Sequence, residues 1–196
     1  YTLVFEEHSV RAPAFSVLLQ NDTGGFVPHT PPESRIHLGT VSEDPGAIAA
    51  GLLREDGTLL TRISFPDGRE VISDRGTVTD MSTDWLPAFP TVPQVGQGGM
   101  GNRIYAAEVG VDVSYELFSQ LGENLVDTVE MVEFCMMATN IIYLRDAGIT
   151  HRLGRVVVRT SPTTDPYEDD PDTGGLLSTV TSEWNNVLPN PTHDIG

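Results

Sequence analysis

A chain of 196 residues, 39% hydrophobic and 20% charged, holds enough apolar material for one large or two small globular domains. Its 28 acidic and 11 basic residues give a formal charge of -17, which repels phosphate backbones and anionic membranes and argues against nucleic-acid and membrane-surface roles. Cys135 is the single cysteine, so neither an intrachain disulfide nor a cysteine-based zinc cluster forms within these residues.

The basic residues are all Arg, with no Lys, a trait that fits either a high-salt habitat or a GC-rich genome. No apolar run reaches the length of a membrane span or a signal peptide. The first residue is Tyr, which suggests a processed or excised piece.

In chain order, residues 1–75 read as a small antiparallel β domain. The runs YTLVFEE, FSVLL, RIHLGTV, GTLLTRISF and REVIS favour strands, and Asp56-Gly57 and Asp67-Gly68 mark tight hairpins. Gly accepts the positive φ of such turns and Asp bonds its own backbone. Residues 76–103 read as a linker: Pro87, Pro90 and Pro93 stiffen its first part, and Gly96, Gly98, Gly99 and Gly101 loosen the second. Gly96, Gly98 and Gly101 also spell GxGxxG. That dinucleotide fingerprint needs a strand before it and a helix after it, and here a Pro-rich stretch precedes and a strand follows.

Residues 104–196 change pattern. IYAAEVGVDV predicts a strand and SYELFSQLG a short helix. The segment Glu123 to Gly148 predicts one long helix, with Leu125, Val129, Val132 and Met136 on one stripe and Phe134, Met137, Ile141 and Leu144 beside it. Glu123, Asp127 and Glu130 near its start, and Arg145 with Gly148 at its end, suit the helix dipole and a glycine stop. RVVVR, Arg155 to Arg159, predicts a strand covered on both faces. A second helix is expected from Leu176 to Val187, and HDIG would open another strand. The fold class is therefore α+β overall: an antiparallel β domain, then a three-layer-like α/β portion with a mostly parallel sheet.

These residues resemble a known family. NRIYAAEVGVDVSYELFSQLG, a long helix ending NIIYLRDAGI, RVVVRTSPTTDPY, a helix with SEWNN, and HDIG together resemble the start of a reprolysin-type (adamalysin-like) zinc metallopeptidase domain of the metzincin group. The landmarks are Asp112, Ile142-Tyr143, Val156 to Asp165, Trp184 and His193-Asp194. Residues 1–75, with EEHSVRAPAFSVLL and HLGTVSEDPGAIAAGLLREDGTLLTRISFPDGREVI, are similar to the propeptide of that family.

The resemblance implies a secreted or cell-surface enzyme that cleaves a peptide or protein substrate with a zinc-bound water. The zinc-binding HExxHxxGxxH helix is expected after these residues, so the fragment itself carries no catalytic or zinc residue. His193 and Asp194 would enter the substrate-side edge strand. The alternative is a non-catalytic, acidic extracellular binding module of the same architecture.

Other candidates are weaker. Asp165, Glu168, Asp169, Asp170 and Asp172 form an acidic run that reads either as a calcium loop or as a solvated loop. It departs from the EF-hand pattern, and the strand position where the family places an acidic calcium ligand is Ala106, with Glu108 two residues on. His8, His29, His37 and His151 lack ligand spacing. Cys135 is expected to be a buried, inert thiol, and the hydroxyls show no Ser-His-acid arrangement. Without a propeptide cysteine, latency would rest on the linker, through bulk or through Asp80 or Asp84, and a cut near Arg103 would free the catalytic part.

Overall fold

The computed structural model describes residues 1–80, 104–167 and 173–188. It is a mixed α+β protein with one antiparallel and one mixed sheet. In chain order the elements are β1 (Leu3–Glu7), β2 (Arg11–Gln20), β3 (Phe26–His29), β4 (Ile36–Val41), β5 (Asp44–Leu53), β6 (Leu59–Ser64), β7 (Glu70–Asp74) and β8 (Thr77–Asp80). They continue with β9 (Tyr105–Val113), α1 (Tyr115–Gln120), α2 (Leu125–Ala147), β10 (Ile149–Arg159), α3 (Thr173–Ser182) and a π-helical turn, Glu183–Val187. Two compact units result, and each draws on segments from both sides of residues 81–103.

Unit 1 comprises residues 1–10, 34–106 and 133–150. Its sheet is antiparallel, in the order β1-β4-β5-β6-β7-β8. The Asp-Gly turns fall where the sequence places them. At Gly57 (φ 78°) Asp56 Oδ1 accepts from the Thr58 N–H, and at Gly68 (φ 86°) Asp67 Oδ1 accepts from the Arg69 N–H. A further hairpin at Arg75-Gly76, with φ of 48° and 81°, forms the two-residue turn that matches strand twist.

The core of this unit is Val41, Ala47, Ala49, Ile63, Phe65 and Val71, with Leu3 and Phe5 packed on it. β5 was not legible as a strand because it is rich in Ala and Gly, and packing explains that composition. Ala47 and Ala49 are fully buried, and the Phe5 ring lies where a β-carbon on Gly39 or Gly51 would stand. The small residues leave room for the ring.

Unit 2 comprises residues 11–33, 107–132 and 151–196. Its sheet runs β3-β2-β10-β9. β2 pairs with β3 antiparallel and with β10 parallel, Arg155 opposite Ser16 through Arg159 opposite Gln20. Within this unit the β9 and β10 positions advance together, Glu108 lying over Gly154 and Asp112 bonded to Arg159, so these strands are also parallel. The sheet is thus mixed, with two parallel pairings and one antiparallel.

Residues 11–29, assigned by sequence to the first β domain, are two of the four strands of this second sheet, and the division at residue 75 does not follow the sheets. Val156, Val157 and Val158 are all fully buried, as expected for a strand covered on both faces. Leu18, Val157, Trp184 and Leu188 form the core beneath α3 and the π turn, with Phe26 and Val180 packed around it.

The long helix starts after Asn124, whose side chain accepts from the Val126 N–H at 2.9 Å, and stops at Gly148 with φ of 67°. Cys135 departs from expectation: it is exposed. Partial desolvation still raises its thiol above the ordinary range, which disfavours the reactive thiolate.

Candidate functional site

The end of the second sheet gathers charge in the interior. Phe26, Gln20 and Arg159 are successive register partners across β3, β2 and β10, and Asp112 on β9 bonds to Arg159, giving one row along the carboxyl ends of β2, β10 and β9. Open α/β sheets commonly bind their ligands at that edge. Arg159 Nε donates to Asp112 Oδ1 at 2.8 Å and Nη2 to Oδ2 at 2.6 Å, a two-pronged pairing that suits the guanidinium fork. Glu183 Oε2 lies 3.0 Å from the same Nη2, and the Tyr167 hydroxyl donates to Asp112 Oδ2 at 2.6 Å.

The side chains of Arg159 and Asp112 are 0% and 3% exposed, so water screens this pair very little. The guanidinium carbon also stands 5.2 Å from the Phe26 ring centre and 5.5 Å from that of Tyr167. Burial by itself would ease the proton off Arg159, but hydrogen bonding and charge from Asp112 outweigh it and hold the group cationic. Burial, then the Asp112 charge, push the Tyr167 phenol well above its usual range. Two polar atoms of the row, Arg159 Nη1 and Gln20 Oε1, are buried without a hydrogen-bond partner among the described residues.

The surrounding loops are tied to this edge. Thr160 Oγ1 donates to the Gln20 carbonyl, and Asn21 Oδ1 accepts from the N–H groups of Thr23 and Gly25 in the β2–β3 turn. Asp165 Oδ2 accepts from the Tyr115 N–H at 2.6 Å and Oδ1 from the Tyr167 N–H at 3.0 Å. With Ser114 Oγ accepting from the Leu117 N–H, Asp165 helps cap α1 and closes the 160–167 loop. The Trp184 indole sits against Gly110, where any β-carbon would overlap the ring.

This chemistry is that of a clasp. Asp112 accepts three hydrogen bonds and is matched to a permanent cation, and Tyr167 keeps its proton. Arg159 is held cationic and Tyr167 protonated, so neither is poised to move a proton near neutral pH.

No family model matches the chain, and no curated protein matches it.

Of the residues singled out in the sequence, Asp112 lies in the clasp and Asp165 beside it, while Arg159, Tyr167, Glu183 and Gln20 were not foreseen. His193 and Asp194, together with Glu168, Asp169, Asp170 and Asp172, lie outside the described residues, as do Gly96, Gly98, Gly101, Asp84 and Arg103. Among the described residues no three or more His, Cys, Asp or Glu side chains group to hold a metal. His29 Nδ1 lies 2.8 Å from the Thr30 carbonyl and His37 Nδ1 3.0 Å from that of Arg35, each a local backbone contact. The described donor set does not fit a zinc site. For calcium, only Asp165 of the acidic run is placed, and both its oxygens already accept backbone N–H groups. Among the described residues no helix is long and apolar enough to cross a membrane.

Proposed function

We propose that this chain is the propeptide-like region and the front part of the catalytic domain of a secreted, zinc-dependent metalloendopeptidase of reprolysin type. The observation that supports the reading is the ordered set of landmarks: a strand reaching Asp112, a long helix with Ile142-Tyr143 in its last two turns, a strand through Val156 to Val158 leading to Asp165, and a helical segment holding Trp184. Parallel β9 and β10 with helix between them are compatible with it, although such a layout serves many activities.

On this reading the residues present build a framework. The Arg159–Asp112–Tyr167–Glu183 clasp fixes the loop after β10 and the turn that carries Trp184. Zinc and the general base belong to sequence beyond these 196 residues, and a peptide or protein is the substrate.

The test compares metal content and peptidase activity of the longer encoded protein with those of residues 1–196. Stoichiometric zinc and chelator-sensitive cleavage in the longer form alone support the proposal. Absence of zinc from both overturns it and leaves the acidic, non-catalytic binding module.

A further inference from the structure

We propose that residues 1–80 stay bound to residues 104–196 when the chain is cut between them, with the β2–β3 hairpin as the docking element and the β2-facing flank of β10 as its receptor. The inference goes beyond the peptidase reading and does not depend on zinc.

The pairing that carries it lies within one sheet. β2 is an inner strand of the four-stranded sheet, bonded to β3 on one side and to β10 on the other. Five consecutive positions, Ser16 to Gln20, face Arg155 to Arg159 in parallel register. Val17 and Leu18 are 1% and 6% exposed, so the strand is anchored through both faces as well as through its ladder. Leu18 joins Val157, Trp184 and Leu188 in one core, and Phe26 from β3 packs against it.

Side chains add further ties across the same gap in sequence. Arg155 Nε donates to Ser16 Oγ at 3.3 Å, Thr160 Oγ1 donates to the Gln20 carbonyl, and the Phe26 ring faces the Arg159 guanidinium. Unit 1 is interleaved in the same sense, since Ser34 Oγ donates to Glu133 Oε2 at 3.2 Å. None of these contacts passes through residues 81–103. An extended segment added to a sheet edge and anchored by alternating pockets is a known mode of peptide capture, and here the captured segment is already part of the chain.

Where the peptidase reading is added, one consequence concerns latency. A cut near Arg103 breaks the covalent link but leaves the hairpin in the sheet, so the N-terminal half is retained as a bound partner. Its departure needs a second event that removes β2 from β10.

The test uses the whole chain with a specific protease recognition sequence, flanked by Gly and Ser, inserted after Pro93. Cleavage is followed to completion on a denaturing gel, and the product is then run on a native sizing column at micromolar concentration. The two pieces are expected to co-elute at the mass of the uncut chain and to separate in denaturant. Leu18→Ala is expected to speed their separation at least tenfold, and Phe26→Ala, at a partly buried position, to do so more mildly. Val78→Ser, on the exposed edge strand of unit 1, is expected to leave it unchanged. Separation of the unaltered pieces in native buffer overturns the proposal. Retention that is indifferent to both hairpin variants overturns the assignment of the hairpin as the docking element.

Discussion

Arg159→Met keeps an unbranched apolar stem and removes the guanidinium and its charge, leaving Asp112 with only the Tyr167 hydroxyl as a partner among its present donors. Both members of the pair are almost fully buried, at 0% and 3% exposure, so water cannot reach in to replace the lost bonds. Breaking a buried pair by removing one partner costs about 3–5 kcal/mol. The remaining Tyr167 bond and the new apolar contacts of Met offset part of this, so the lower end, about 3 kcal/mol, is expected. With a urea slope of about 2 kcal/mol/M for a unit of this size, the midpoint should fall by about 1.5 M. The assay is urea unfolding followed by Trp184 fluorescence in a Trp85→Phe background, so that the signal comes from the second unit. Adding Asp112→Leu to the same chain removes the more deeply buried of the two carboxylates that lose their cation, Glu183 being closer to solvent, and is expected to restore stability to within about 1 kcal/mol of the starting protein. A midpoint shift below about 0.3 M for Arg159→Met, or a double variant no better than the single, would refute the clasp as an energetic unit.

Two further substitutions probe its surroundings. Gly110→Ala drives a methyl group into the Trp184 ring and should cost about 1–3 kcal/mol. A red-shifted indole emission with a lowered midpoint would show the ring displaced, and an unchanged spectrum would contradict the packing. Tyr167→Phe removes the hydroxyl bonded to Asp112, and a hydrogen bond to a charged group is worth about 1.5–3 kcal/mol. It should also change the alkaline limb. Burial raises this phenol above its unfolded value, so its contribution is full below about pH 10 and is lost as pH rises toward the folded value. Unfolding free energies at pH 8 and pH 10.5 should therefore fall more steeply in the unaltered protein than in Tyr167→Phe, and equal slopes would count against the assignment.

Local signals in the sequence carried much of the fold and little of the clasp. The Asp-Gly turns at Gly57 and Gly68 and the long helix, expected from Glu123 to Gly148 and found at Leu125–Ala147, rest on interactions a few residues apart. The buried face of the helix is wider than its apolar stripe, because Thr128, Glu130, Glu133 and Asn140 are buried alongside the apolar positions. β5 was missed for a different reason: Ala47, Ala49 and Gly51 suit the Phe5 ring, a choice made by tertiary packing and not by strand propensity. The placement of residues 11–29 could not be read locally, since nothing in Val17-Leu18 names β10 as their neighbour. The clasp was illegible on the same ground. Asp112 and Arg159 are 47 residues apart and Asp112 and Tyr167 are 55 apart, and RVVVR gave no sign that its last arginine turns inward.

The interleaving of the two halves also sets a timetable for synthesis. Arg155 and Ser16, which meet in one sheet, are separated by 139 residues. At about 5–20 residues per second, a ribosome needs on the order of 10–30 s to deliver β10 after β2 has emerged. During that interval the hairpin of residues 11–29 has an unpaired inner edge, in a nascent chain where such edges invite pairing with neighbours. Val17 and Leu18 must therefore be shielded or kept dilute until β10 has emerged, and a chain that stalls before residue 155 leaves them without a native partner.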